Sequence, residues 1–513
     1  MIKSLEITAW TLAALLVAAA ALLYRPFPLD DDGIVYLDVA ANLRAGNGIA
    51  TSIAHYDTER SHGRLPAPMT TFPPGYPAAI SLFGGSETAA RAVSIAPFAA
   101  TAALLVWAMR LAGIPGFTRA MALLLLLTNM TMQRYNSGVQ SESLFTLFAF
   151  VALLGILFAE RTSKHGPVAA VLLSCGAIGL AYTVRYAGLF LIPPVAAYAL
   201  YRFWISRQWP FALAPLIPVS IAGAFMVRNT LLVGDWRGGN DLPILNPWGA
   251  LAGRYVRGQL HLLLGNHRIA VDVWEVRLAI AAILIAAALL FATKPWQGAT
   301  RGPLLVTLWI LTYTAAFFYA ARHSVVDLDS RMFVPMLPCY LLLFGMIFGR
   351  IPGSLFSYGS MAILVISYSV INFQDFDDTP YPRPRHQVVA GLLAQATDGR
   401  SMRAWLDSNV APDEVIAAVD GQAVGYLVKR PTLSLVPPVY SPVRWECEDI
   451  LREMARFKAR YLIVFKSFPA GSPENESSYP PESKFIAGSV QEQLACGFTI
   501  AAENKGVRIL KTR

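Results

Sequence analysis

One stretch of the chain holds residue types that invite chemistry: Pro28-Leu29-Asp30-Asp31-Asp32-Gly33-Ile34-Val35-Tyr36, three consecutive carboxylates behind a first apolar segment. Val35, Val39 and Leu43 recur at helical spacing, so residues 34–43 read as a short helix lying on a membrane interface. Asp30, Asp31 and Asp32 then stand at its N-terminus, where the helix dipole favours negative charge. Carboxylates so placed can cap the helix, take a proton, or join a phosphate in holding Mg²⁺ or Mn²⁺. A second group is cationic. Arg185, Arg228 and Arg331 each fall near the end of an apolar stretch, where a guanidinium is costly unless it meets an anion or reaches the lipid headgroups. Glu142 opens a further apolar stretch, either as a helix-end charge or as a second acidic group of a site.

The elements that must position these residues follow from composition. The 513 residues are 55% hydrophobic and 15% charged, with a mean hydropathy of +0.47, whereas a soluble protein carries roughly a quarter charged residues. Charge is also uneven: residues 373–513 hold 34 of the 75 charged side chains and residues 1–372 hold 41. The chain therefore divides into a membrane part, 1–372, and a soluble part, 373–513. The net charge of +9 does not point to nucleic acid, because the tail is balanced at 17 basic and 17 acidic residues and the whole excess lies in the membrane part. There it reports topology.

Apolar stretches near twenty residues long predict about eleven transmembrane helices, at 5–24, 87–110, 116–132, 139–160, 166–183, 185–203, 209–233, 276–293, 302–321, 332–350 and 353–372. With a cytoplasmic N-terminus, the inside loops collect Lys3, Arg110, Arg119, Arg161, Lys164, Arg202, Arg207, Lys294, Arg301 and Arg350 against only Glu6 and Glu160, as the positive-inside rule expects. An odd number of crossings places the first loop, 25–86, the loop 234–275 and the tail outside. The length of the first segment suits an uncleaved anchor better than a signal peptide. In the loop 234–275, Trp236, Trp248, Arg254 and Arg257 suit either an amphipathic interface segment or a wall around an acceptor.

Behind the proline-rich 380–384 the tail reads as a small α/β domain with a partly parallel sheet. Helices are expected near 386–398, 421–429 and 445–458, and strands at 415–419, 432–436, 461–465, 498–502 and 507–511. It holds neither a glycine-rich phosphate loop nor an acid/base cluster, so its role is supporting or acceptor-facing. Residues 468–484, rich in Pro, Ser and Glu, read as a loop. Cys175 and Cys339 read as small core residues; Cys447 and Cys496, in the exported tail, are free to pair. No Cys/His spacing suggests zinc, and His55, His62, His261 and His267 read as solvated or structural.

The first loop carries more than its acids. Tyr36, Ala41-Asn42-Leu43, Gly46-Asn47-Gly48 and then Pro73-Pro74-Gly75-Tyr76-Pro77, all behind a first membrane helix, resemble the first outer loop of GT-C glycosyltransferases. These include protein O-mannosyltransferases, lipid A aminoarabinose transferases and bacterial homologues that use polyprenyl-phosphate sugars. The resemblance continues in order through Gln140-Ser141-Glu142-Ser143-Leu144-Phe145, Arg185-Tyr186-Ala187-Gly188, Arg228-Asn229-Thr230 and Asp329-Ser330-Arg331-Met332-Phe333-Val334-Pro335. It spans most of residues 1–372 and specifies the superfamily, not a substrate.

The resemblance implies inverting transfer of a sugar from a polyprenyl-phosphate donor to a hydroxyl of a glycan, lipid or protein on the outer face of a membrane, with a bacterial inner membrane expected from its bacterial members. Asp31 or Asp32, undistinguished, becomes the base that takes the acceptor proton, and Glu142 matches a second acidic residue of the family. Arg331, Arg228 and Arg185 become the groups that hold the donor phosphate, because planar guanidinium donors pair with phosphate oxygens. Arg331 leads, flanked by Asp327, Asp329 and Pro335; Arg322 and His323 are secondary. Asp30, Tyr36 and Tyr76 are candidate pocket residues. Some relatives use a divalent cation and others do not, so Mg²⁺ or Mn²⁺ stays open. Asp30-x-Asp32 is not read as the DxD of nucleotide-sugar enzymes, since any Asp triplet contains that spacing and such donors are cytosolic. The Trp-Trp-Asp-Tyr-Gly signature of oligosaccharyltransferases is absent from the tail. The reading from another class is a transporter or lipid flippase, which would place ionisable residues at the bilayer midplane and show internal repeats.

Overall fold

The computed structural model describes residues 27–55, 61–162, 166–238, 245–264, 301–323, 328–348, 385–397, 400–435, 445–466 and 490–513. They form two compact units. The first takes Phe27 and the described residues of 91–225 and 243–379; the second takes those of 28–90, 226–242 and 380–513.

Seven helices among the described residues are long and apolar enough to cross a membrane: Glu87–Leu111, Glu142–Arg161, Gly166–Val184, Tyr186–Ser206, Trp209–Val233, Gly302–Arg322 and Ser330–Ile347. Each coincides with a stretch read from the sequence. Large apolar side chains such as Leu173, Trp204, Leu213 and Leu311 stay exposed on them, as surfaces solvated by lipid require. The chain is an integral membrane protein. The expected spans at 5–24, 276–293 and 353–372, together with Asp327, His267 and the segments 380–384 and 468–484, lie outside the described residues. The expected span at 116–132 is broken. A 13-residue helix, Gly116–Thr128, is followed by Met130–Ser137. The cause is Asn129, whose side chain caps the second helix by accepting from Met132 N at 2.8 Å and donates to Leu262 O at 2.7 Å. Thirteen residues rise only about 20 Å, short of a hydrocarbon core of about 30 Å.

What positions the chemistry in this unit is a helical hairpin. Glu142–Arg161 and Gly166–Val184 are joined by a short connection and run antiparallel, so the first residue of one and the last of the other share an end. They approach closely because Gly155 has no side chain: a Cβ there would stand 2.2 Å from Ser174 Oγ and 2.8 Å from Ala170 O. Ser174 Oγ in turn donates to Ala152 O at 2.8 Å across the pair. Beyond Val184 the chain tightens into a 3-10 turn, Tyr186–Leu191. Gly188 permits it, since a Cβ there would meet Tyr182 N at 2.5 Å.

In the second unit the acidic run opens a helix, Asp31–Arg44, whose buried face includes Ile34, Val35 and Val39. The helix Gly75–Leu82 packs on it. A six-stranded sheet follows, in the order Ile53–Ala54, Thr432–Ser434, Ile416–Ala418, Tyr461–Phe465, Val507–Thr512, Phe498–Glu503. The first four strands pair in parallel and the last two join antiparallel. Its core includes Ala417, Leu433, Leu462, Ile463, Phe498 and Ile509, covered by helices that include Gly421–Val428 and Cys447–Phe457. A disulfide joins Cys447 to Cys496, with Cα atoms 5.8 Å apart.

Compactness does not follow a boundary at 372/373. The first strand of the sheet comes from the first loop, with Ile53 opposite Thr432 and Ala54 opposite Leu433. Thr432 N also donates to Ser52 O at 2.9 Å. A parallel edge strand needs only exposed backbone groups on its neighbour, and the loop supplies two residues of it.

Candidate functional site

The first unit gathers three of the expected residues. Glu142, 1% exposed at the start of its helix, faces Arg185 and Arg331, which are 18% and 19% exposed. Arg185 Nη1 donates to Glu142 Oε1 at 2.6 Å and to Ser141 Oγ at 3.0 Å. Arg331 Nε donates to the same Oε1, and its Nη2 donates to Gln140 Oε1 at 2.8 Å. Glu142 Oε2 is buried without a hydrogen-bond partner among the described residues. Two guanidinium groups are thus held side by side on one carboxylate oxygen, with part of each left exposed.

The surroundings are polar and buried. Asn136, Gln140, Ser141 and Ser143 are all nearly inaccessible, and Ser143 Oγ donates to Asn136 Oδ1. The Arg331 guanidinium also lies 5.7 Å from the Tyr135 ring centre. Burial, with Asp329 and Glu142 adding to it, pushes the Tyr135 hydroxyl up to about 12, so the ring presents a neutral hydroxyl. Arg331 sits in the short helix Ser330–Phe333, capped by Asp329 and backed by the helix Trp248–Leu264. A Cβ at Gly258 would meet Leu328 O at 2.5 Å, so this approach requires glycine. Trp248–Leu264, where an acceptor wall or an interface segment was expected, serves at least to buttress Arg331.

The acidic loop belongs to the second unit. Asp30 is the N-cap, its Oδ1 accepting from Gly33 N at 2.9 Å, so this expected pocket residue is a helix cap. Asp31 and Asp32 fill the first turn, partly exposed. Gln422 Nε2 reaches Asp31 O at 3.5 Å. Tyr36 and Tyr76, also expected to line a pocket, are 2% and 0% exposed. Their rings meet edge to face at 5.0 Å, Tyr36 meets Phe72 at 5.2 Å, and Tyr76 Oη donates to Ala90 O at 3.2 Å. Both therefore hold the two helices of the loop together. Arg228 differs from its two counterparts: it donates to Met69 O at 3.1 Å, Ile49 O at 3.3 Å and Asn229 Oδ1 at 3.2 Å, tying down loop backbone.

Several residues escaped the sequence reading. Gln140 and Ser141 stood in the same motif as Glu142, which was signal enough. Asp38 lies between the buried Val35 and Val39 of a helix, an odd place for a solvated carboxylate. Its Oδ2 accepts from Thr51 Oγ1 and from Ser52 N, both at 2.7 Å. Burial raises its pKa above the usual carboxylate value, against the pull of those hydrogen bonds and of Lys429. His55 Nδ1 is 2.9 Å from Ser434 Oγ, in keeping with a structural histidine.

Among the described residues no three His, Cys, Asp or Glu side chains gather at metal-ligand spacing. Asp30 is engaged as a cap and Glu142 by two arginines.

No protein-family model matches the sequence, and no curated protein matches it. Solved structures do match its fold. Over 98% of this chain and 97% of the other, it is similar to ArnT from Cupriavidus metallidurans bound to undecaprenyl phosphate, with a TM-score of 0.59 at 11% identity. The apo state of the same protein aligns over 98% of each chain with a TM-score of 0.55 at 13% identity. The archaeal oligosaccharyltransferase AglB from Archaeoglobus fulgidus, in complex with an inhibitory peptide and a dolichol-phosphate, aligns over 90% of this chain and 69% of that one with a TM-score of 0.48 at 12% identity. The chain therefore shares its fold with these solved structures over nearly its whole length.

Proposed function

We propose that this membrane protein is a GT-C glycosyltransferase that moves a monosaccharide, a hexosyl or pentosyl unit, from a polyprenyl-phosphate donor to a hydroxyl of a glycan, lipid or protein, with inversion. The observation that carries this reading is the Arg185–Glu142–Arg331 cluster, two partly exposed guanidinium groups held on one buried carboxylate in a membrane-spanning unit. Planar donors of this kind pair with phosphate oxygens and remain charged in apolar surroundings. The fold it sits on is shared with a protein crystallised with undecaprenyl phosphate.

In the proposed reaction Asp31 or Asp32 takes the acceptor's hydroxyl proton as the acceptor oxygen bonds to the anomeric carbon. The bond from that carbon to the phosphate oxygen breaks, and its electron pair stays on the phosphate, which gains one negative charge. Arg185 and Arg331 stabilise that charge. A single displacement from the opposite face inverts the anomeric centre. Glu142, engaged by both arginines, orients them. The eleven apolar stretches support about eleven crossings, the positive-inside distribution of loop charge supports a first loop and α/β tail facing outward, and the resemblance to bacterial members supports a bacterial inner membrane.

The test is release of polyprenyl phosphate by purified protein from a panel of short-chain polyprenyl-phosphate sugars, with membrane extract as acceptor. Wild type should release it and the Asp31→Asn, Asp32→Asn double variant should not, while folding normally. Equal release by both would remove the base from the first loop. No release from any donor, with lipid flipping by the same preparation, would overturn the enzyme reading.

A further inference from the structure

The charge of the arginine cluster is set by one residue. Arg185 and Arg331 bring two positive charges and Glu142 one negative, and all three meet at Glu142 Oε1. Arg134 and Asp329, which also act on the neighbouring Tyr135, are of opposite sign. The cluster therefore carries a single excess positive charge. Gln140, which accepts from Arg331 Nη2, and Ser141, which accepts from the same Arg185 Nη1 that meets Glu142, are neutral and fully buried. They fix geometry without altering that balance.

The two phosphates of the proposed reaction differ in charge. The donor is a phosphodiester with one negative charge, whereas the released polyprenyl phosphate is a monoester close to two at pH 8, its second pKa being about 6. A site with one excess positive charge neutralises the donor and leaves the product with an uncompensated charge. Without Glu142 the same two arginines would match the product.

We infer that Glu142 determines charge selectivity at this site, holding the arginine pair at one net positive charge so that a phosphodiester is retained and a dianionic phosphate monoester is released. This rests on the proposed assignment of Arg185 and Arg331 to the phosphate. Glu142 is thus a specificity residue as well as a positioning one. It achieves this from 1% exposure, through the arginines it touches.

The experiment measures binding of two probes to the purified full-length protein at pH 8 and low salt: a short-chain polyprenyl monophosphate and a neutral-tailed dialkyl phosphodiester of matched length. The readout is the ratio of their dissociation constants, which a general loss of folded protein does not move. In Glu142→Gln the ratio should shift towards the monoester by at least about tenfold, because one further unit charge acts more strongly on a dianion. Arg185→Gln, which brings the net charge to zero, should shift it the opposite way, and Glu142→Asp should restore wild-type selectivity. If Glu142→Gln is not recovered folded, the Arg185→Gln shift decides. An unchanged ratio in proteins that still bind both probes overturns the charge inference alone. A wild type that binds neither probe overturns the phosphate assignment with it.

Discussion

Arg331 led Arg228 in the sequence but both stood as phosphate ligands, and the geometry separates them, so the paired substitutions Arg331→Met and Arg228→Met test the reasoning most directly. Methionine keeps the length of the side chain and removes its charge and its donors. In Arg331→Met, Glu142 keeps Arg185 at 2.6 Å, so the carboxylate is not left unpaired. What disappears is one of the two guanidinium groups proposed to hold the phosphate. A hydrogen bond to a charged group contributes about 1.5–3 kcal/mol, and Coulomb attraction at 4 Å with an effective dielectric of 20 sets an upper bound of about 4 kcal/mol. Affinity for a short-chain polyprenyl phosphate should therefore fall by roughly 10- to 150-fold. In Arg228→Met the carbonyls of Met69 and Ile49 lose a donor. That costs about 1–3 kcal/mol of loop stability. Affinity per folded molecule should stay within about twofold. Equilibrium binding and thermal melts on the same preparations read both quantities. Wild-type affinity in Arg331→Met would refute the phosphate assignment. A loss in Arg228→Met matching that of Arg331→Met, with an unchanged melt, would refute the structural role given to Arg228.

Three further outcomes are expected. Asp30→Asn should keep the cap on Gly33 N and full transfer, since Asn caps as well as Asp, whereas Asp31→Asn with Asp32→Asn should lower kcat by about 10²- to 10⁴-fold in the donor-release assay; comparable losses in both would show that the whole acidic run acts together. Replacing Cys447 and Cys496 by Ser opens a loop closed over a sequence separation of 49, and urea unfolding of the tail's signal should show a loss of about 4 kcal/mol by the chain-entropy argument; an unshifted midpoint contradicts it. Asp38 has a raised pKa through burial, so its contribution is fully present below the unfolded carboxyl value near 3.9 and is lost as pH rises through the higher folded value. Asp38→Asn removes that titration, and its stability relative to wild type should increase from pH 4 towards pH 8; a difference independent of pH would show that Asp38 does not titrate.

Local features were legible because they live within short windows. The helix Asp31–Arg44 announced itself through acids before an apolar repeat, and the tail's strands and helices through alternating apolar runs and turn residues. The seven described spans followed from length and hydropathy alone. The break at Asn129 did not, since hydropathy averages over the residue that caps a new helix. Nor did the strand Ile53–Ala54, whose two residues are too few to carry a period and whose pairing with Thr432 and Leu433 joins distant parts of the chain.

By itself, then, the sequence determined that this is a membrane protein, and it nominated the acids and arginines of a candidate site. Only the tertiary structure decided what each does. Glu142 meets Arg185 across 43 residues and Arg331 across 189, pairings that depend on which helix ends coincide. Tyr36 and Tyr76 went to the interior and Arg228 to loop carbonyls. Residue type fixes the interactions a side chain is capable of making. Which one it makes depends on the partners that packing brings within about 3 Å, and in an apolar surrounding any polar group must be brought one.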